Sequence, residues 1–178
     1  MHSTSSRPPY ELVFGLLGVG VLARVLPHPP NVTPLTALAL FGGAMLPRRW
    51  AVLLPLGIIM LSDLVLGLHE TIAFTWAGVA LIGSIGWWLR RQTSLGRVMF
   101  ASLLASSLFF ILTNAGVWLL GERGTMYPHT AQGLWTCYVA ALPFYRNALL
   151  GDLLMTVGVF QSYAWLARRV APARVPSA

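Results

Sequence analysis

The sequence contains no lysine, and its twelve basic residues are all arginine. A Walker A phosphate loop and a Schiff-base enzyme both need a lysine, so both classes are excluded. The G-x-S-x-G, H-E-x-x-H and paired-cysteine patterns of hydrolases and zinc sites are missing as well. We therefore expect a protein that recognises a molecule, not an enzyme, and we expect it to carry no cofactor.

Charge and cysteine are also scarce in this chain of 178 residues. Only 10% of the residues are charged and 56% are hydrophobic, and the mean hydropathy is +0.69. A surface exposed to water does not tolerate this composition, whereas a lipid bilayer does. Cys137 is the only cysteine, which excludes an internal disulfide and a multi-cysteine metal site. We interpret Cys137 as a packing residue.

Apolar runs of helical length predict an all-α integral membrane protein, a six-helix bundle with one transmembrane domain over residues 1–178. A spanning helix needs about 20 apolar residues. The second run has thirteen residues, which cover about 20 Å of a hydrocarbon core of about 30 Å, so it is short or re-entrant. The predicted helices are 12–26, 34–46, 51–68, 72–89, 98–120 and 143–167, with an external interfacial segment at 121–142.

The arginines indicate how these helices are oriented. If the second helix spans, nine of the twelve arginines lie on one side of the membrane, together with both termini. Short loops rich in arginine stay in the cytoplasm, so that side is predicted to be cytoplasmic. If the second helix re-enters, only the N-terminal tail changes sides. The net charge of +7 is therefore a topology signal of a multi-pass protein of the cytoplasmic (inner) membrane, and we predict no nucleic-acid partner.

Most of the remaining polar residues lie near the outer ends of the predicted helices or in the loops that join them. Tyr145, Asp152 and Thr156 share one stripe of the sixth helix, because seven residues nearly complete two turns. We interpret the outer polar set as candidate ligand-binding residues: Arg24, His28, Asn31, Asp63, His69, Asn114, Trp118, Tyr127, His129, Tyr145, Arg146, Asn147 and Asp152.

The charged members of this set also have a purely structural interpretation. A charged side chain inside a bilayer is costly and usually pairs with a partner in the bundle interior. Arg24 and Arg146 would then simply neutralise Asp63 and Asp152.

Several segments resemble a known family. They are "PHPPNVTPLTALALFGGA", "LSDLVLGLHE", "FFILTNAGVWL", "YPHT" and "LPFYRNALLGDLLMT", and they resemble the signature segments of an uncharacterised bacterial family of small integral membrane proteins. That family is similar in size and layout to the substrate-binding S components of energy-coupling-factor (ECF) vitamin transporters.

This resemblance implies a bundle that captures a vitamin-like micronutrient on the outer face, with the loop between the first two helices as part of a lid. It also implies an ECF-type coupling subunit and ATPases as partners, or a solitary transporter, since the first helix is rich in glycine and lacks the Ala-x-x-x-Ala docking pattern. Cobalamin is the leading ligand. Residues that would contact it are Trp76, Asn114, Trp118, Tyr127 and Tyr138 as walls, and His69, His129 or Cys137 as a donor to cobalt.

We therefore predict a membrane-embedded substrate-binding protein for the uptake of a micronutrient, with the ligand between the outer ends of the third, fifth and sixth helices. Arg146 and Asn147 would donate hydrogen bonds to it, and Asp63 would fix Arg146 or contact the ligand. Two alternatives remain open. One is an intramembrane metal-site protein or enzyme that uses His69, His129 and Asp63, and the other is a structural membrane subunit.

Overall fold

The computed structural model describes residues 10–27 and 31–170, and every regular element in them is helical. Four helices are long and apolar enough to cross a membrane, namely α3 to α6. The predicted all-α membrane fold with six helices is thus confirmed. The helices are α1 (Tyr10–Val25), α2 (Leu35–Met45), α3 (Arg48–Leu66), α4 (Ile72–Leu89), α5 (Leu95–Leu120) and α6 (Ala131–Val170), with a short 3₁₀ turn at Gly121–Gly124.

The sixth helix corrects one of our predictions, because the external segment 121–142 and the helix 143–167 are not separate. One helix of 40 residues runs through Pro143. Its start is capped by Thr130, whose hydroxyl accepts a hydrogen bond from the Gly133 N–H at 3.1 Å. A proline in an apolar helix is tolerated where the surroundings replace the lost backbone bond, and here the N-terminal part of α6 packs along α5. At about 1.5 Å per residue α6 reaches about 60 Å, twice the hydrocarbon core.

The short helix α2 forms the centre of the bundle. All its residues from Leu35 to Ala44 are buried, and it packs against each of the other five helices. Glycines allow this close packing: a side chain at Gly43 would collide with the backbone of Gly83 and Gly86, and one at Gly86 with the backbone of Leu40. Helices in lipid associate through such small residues.

Arginine and tryptophan mark one end of the bundle, which we call the arginine end. Arg90 follows α4 and donates hydrogen bonds to the backbone carbonyls of Gly43 and Leu46, at the C-terminus of α2. The guanidinium group of Arg48 stacks over the Trp87 ring at 4.6 Å. Because α2 ends and α3 starts at the arginine end, α2 runs towards this end from the opposite side of the bundle. The second helix is therefore short, and it does not turn back on itself.

Candidate functional site

Two buried aspartates lie away from the arginine end, and the first, Asp63, is fully engaged by protein groups. Its side chain forms an ion pair with Arg24, with Nη2 and Oδ1 2.9 Å apart. The Trp76 indole N–H donates to the other carboxylate oxygen at 2.9 Å. Arg24 also donates from Nε to the Ser62 hydroxyl at 2.7 Å. This cluster ties the C-terminal end of α1 to α3 and α4.

The predicted pairing of Asp63 with Arg146 is wrong. The Asp63 carboxylate is bound to Arg24, and Arg146 lies exposed on α6, as does its neighbour Asn147. The proposed structural pair of Arg24 with Asp63 is confirmed.

The second aspartate, Asp152 on α6, has hydroxyl partners in place of a cation. The Ser106 hydroxyl on α5 donates to its Oδ2 at 2.6 Å, and Thr36 in the first turn of α2 lies beside the same carboxylate. Within residues 10–27 and 31–170, the ion pair of Arg24 with Asp63 is the only one, so Asp152 has no ion-pair partner there.

The predicted stripe on α6 faces α5, as expected for one helix face. Tyr145 shares a hydrogen bond with Ser107 at 2.8 Å, and Thr156 accepts one from Ser102 at 3.3 Å. Together with Asp152, these side chains line up along the boundary between α5 and α6. These three polar side chains of α6 are thus directed towards α5.

Asp152 faces two adjoining cavities. The first has a volume of about 280 Å³ and extends from Arg24 and Leu66, at the ends of α1 and α3, to Ile82, beyond the midpoint of α4. Five of its ten lining residues are polar: Arg24, Asn31, Thr33, Thr36 and Asp152.

The second cavity has a volume of about 220 Å³, and four of its eleven lining residues are aromatic. It shares Asn31, Phe109, Ala148 and Asp152 with the first cavity, so the two meet at the carboxylate. Further wall residues are Ser106, Phe110, Thr113, Asn114, Phe144 and Tyr145. The rings of Phe110 and Tyr145 are stacked with their centroids 4.4 Å apart.

The short length of α2 explains why this space exists. Its 11 residues cover about 16 Å at 1.5 Å per residue, and residues 31–34, which precede it, have no helical structure. Val32 in that segment packs on Gly151 of α6, and Asn31 adopts a left-handed conformation with φ of 60°, which asparagine tolerates better than most residues. Asn31 and Thr33 therefore form part of the cavity wall, while His28 lies outside the described residues.

Five of the predicted ligand-binding residues line these cavities: Arg24, Asn31, Asn114, Tyr145 and Asp152. Other described candidates lie elsewhere. His69 is exposed and hydrogen-bonded to Thr71 at 3.1 Å. Trp118 donates to the Pro128 carbonyl at 3.0 Å and contacts the ring of His129. Neither cavity includes Tyr127.

Sequence reasoning missed Thr36, Ser106, Phe109 and Phe110 as wall residues. Ser106 had one available signal, since a hydroxyl four residues after Ser102 marks a polar stripe on an apolar helix. Phe109 and Phe110 had none, because aromatic residues are common throughout this chain. In the part of the chain that the structure describes, no three His, Cys, Asp or Glu side chains come together as a metal site would require.

Comparison with known proteins identifies one family. Residues 5–175 match a family described as a family of unknown function, DUF6580. No curated protein and no solved structure matches the chain. The description of the family names no ECF component, so the likeness to S components stays a prediction.

Proposed function

The chain belongs to DUF6580, a family of unknown function, and we propose from its geometry that it binds a small polar molecule in the two adjoining cavities as a step in uptake across the cytoplasmic membrane. The observation that carries this proposal is the position of Asp152 and the nature of its partners. It is a buried carboxylate on a membrane-length helix, it faces both cavities, and its described partners carry no charge.

The cost of burying this carboxylate supports a role beyond packing. A charged side chain within a bilayer is expensive, and such residues usually face a cavity and mark a substrate or ion pathway. The hydrogen bond from Ser106 reduces that cost but cannot neutralise the charge of Asp152. A bound molecule in either cavity would complete the environment of Asp152.

The dimensions of the cavities limit the ligand. Pockets for drug-sized ligands have volumes of about 300 to 1,000 Å³, and the two cavities, at about 280 and 220 Å³, together fall in the lower half of that range. We therefore favour a molecule the size of a vitamin precursor over cobalamin. The side chains expected to contact a corrinoid are also engaged elsewhere: Tyr138 donates to the Ile111 carbonyl at 2.6 Å, and Trp76 donates to Asp63.

The arginine end indicates from which side of the membrane the ligand would enter. Clusters of arginine favour the cytoplasmic side, and the first cavity extends towards the other end of the bundle, where Arg24 and Leu66 line it. The ligand would thus enter from outside. Because the sequence has no phosphate loop, uptake that consumes ATP would need the coupling subunit and ATPases as separate chains.

Native mass spectrometry of the full chain in detergent tests the proposal. We expect wild-type protein to retain a discrete small organic mass, and Asp152→Asn to retain at least about tenfold less, since it keeps the shape of the side chain and removes its charge. Glu11→Gln removes an exposed carboxylate on α1 and serves as the matched control. Equal retention by Asp152→Asn, or an empty wild-type protein that no small metabolite stabilises against heat, would reject the proposal.

A further inference from the structure

We propose that the ligand of the two cavities is a small organic cation, a protonated amine, held between the Asp152 carboxylate and the aromatic rings of the second cavity. This inference rests on the proposed function and names its ligand class. It is carried by three features: the charges that line the cavities, the aromatic wall, and the point where the two cavities meet.

The charge balance leaves the site negative. Among the described lining residues Arg24 is the one cationic side chain, and it is already paired with Asp63. The groups that approach Asp152 from α5 and α2 are the hydroxyls of Ser106 and Thr36, which are neutral. The N-terminus of α2 adds only about half a positive charge. An ionised Asp152 carries one full negative charge, which exceeds the positive charge of the described groups around it.

The walls of the second cavity favour the same sign of ligand. Phe109, Phe110, Phe144 and Tyr145 line it, and the face of an aromatic ring carries partial negative charge that attracts ammonium groups within about 6 Å. An anionic ligand would meet both this wall and the Asp152 carboxylate, so both features disfavour it. A neutral ligand would leave the carboxylate without a counter-ion.

The arrangement also suggests how such a molecule would lie. Asp152 is at the junction of the cavities, so the ammonium group belongs there. An apolar or aromatic portion would fill the second cavity, and a portion that accepts hydrogen bonds would extend into the first, towards Thr33 and Arg24. The ligand class is thus a compact amine with one apolar and one polar part.

Three probes of nearly equal size test the sign of the charge: 2-phenylethylamine, 2-phenylethanol and phenylacetate, titrated by calorimetry against the full chain in detergent. We expect the amine to bind at least about tenfold more tightly than the alcohol and the acid to bind most weakly. Asp152→Asn should remove the preference for the amine while changing the affinity for the alcohol less than about twofold. Glu11→Gln should change neither.

A second variant keeps the test decisive if Asp152→Asn is poorly folded. Phe110→Leu removes an aromatic wall of the cavity and should weaken the amine several-fold while leaving the alcohol nearly unchanged. Phe100→Leu is the control, because Phe100 lies exposed on the same helix.

The possible failures are distinguishable. Binding of the alcohol or the acid as tightly as the amine, with dependence on Asp152, would overturn the cationic ligand and leave the binding function standing. If no probe binds, fragmentation of the mass retained by the purified protein decides: a basic nitrogen supports the inference, and a compound without one overturns it. An empty protein that no probe binds would reject the binding function and the inference together.

Discussion

Asp63 and Asp152 are the same residue type at similar burial, with 2% and 7% of their surfaces exposed, yet their surroundings differ in kind. Asp63 has a guanidinium and an indole N–H on its two oxygens. Asp152 has the hydroxyl of Ser106 and two cavities. A buried aspartate that is paired with a cation of the protein holds helices together. A buried aspartate that has only neutral partners and lies beside a cavity is available to a ligand. The difference lies in the neighbours, and each neighbour can be removed separately.

The largest effect is expected at Asp63. Asp63→Ala would leave the partly buried Arg24 guanidinium without its counter-ion, and breaking a buried pair in this way costs up to about 3 to 5 kcal/mol. We expect a large fall in the midpoint of thermal unfolding in detergent. Removal of both charges in Arg24→Met/Asp63→Leu should recover most of that loss, because apolar side chains can replace a buried pair. A double variant as unstable as Asp63→Ala would show that the pair is not the source of the effect.

Asp152→Asn is expected to have the opposite effect on stability. In ligand-free protein, it removes a buried charge that has no described cation partner, so unfolding should occur at the wild-type temperature or slightly above it. The measurement is the same thermal unfolding curve, recorded beside Asp63→Asn as the matched variant. If both asparagine variants lose stability equally, Asp152 is a structural residue and the contrast between the two sites fails.

Part of this contrast could be predicted from the sequence. The ion pair of Arg24 with Asp63 was predicted, because intramembrane charges of opposite sign near helix ends usually pair. Helical periodicity could also have excluded an ion pair of Arg146 with Asp152, because a separation of six residues at about 100° each puts the two side chains on different faces of a helix. The stripe of Tyr145, Asp152 and Thr156 follows from the same periodicity and is confirmed.

Other features depend on packing that the sequence does not reveal. We predicted that the sixth helix begins at Pro143, but α6 packs along α5 on both sides of that residue. Before it, Cys137 and Tyr138 contact backbone carbonyls of α5, and after it Tyr145 is hydrogen-bonded to Ser107. The cavities depend on where α2 begins and on which helices surround its first turn. Ser106 comes 46 positions before Asp152, and local patterns carry no information about a contact at that separation.

A smaller effect separates the two sites through a pair of serines. Ser62 and Ser106 are both buried, and each hydroxyl bonds to one of the two charged clusters. A hydrogen bond to a charged group contributes about 1.5 to 3 kcal/mol. Ser62→Ala removes the acceptor for Arg24 Nε, so it should lower stability by roughly 1 to 2 kcal/mol and leave binding of 2-phenylethylamine unchanged.

Ser106→Ala removes a donor to Asp152 and, unlike Ser62→Ala, should weaken binding as well as stability. Without that hydroxyl the carboxylate loses one of the groups that orient it, so its position at the junction of the cavities becomes less defined and affinity for the amine should fall a few-fold. Thermal unfolding should also occur at a lower temperature, because the buried carboxylate loses a hydrogen bond that reduces the cost of its burial. A calorimetric titration and an unfolding curve on both variants measure the two quantities together. If both alanine variants alter stability alone, the Ser106 hydroxyl serves the fold in the way that the Ser62 hydroxyl does. The distinction between a structural and a functional aspartate would then depend on the two carboxylates alone.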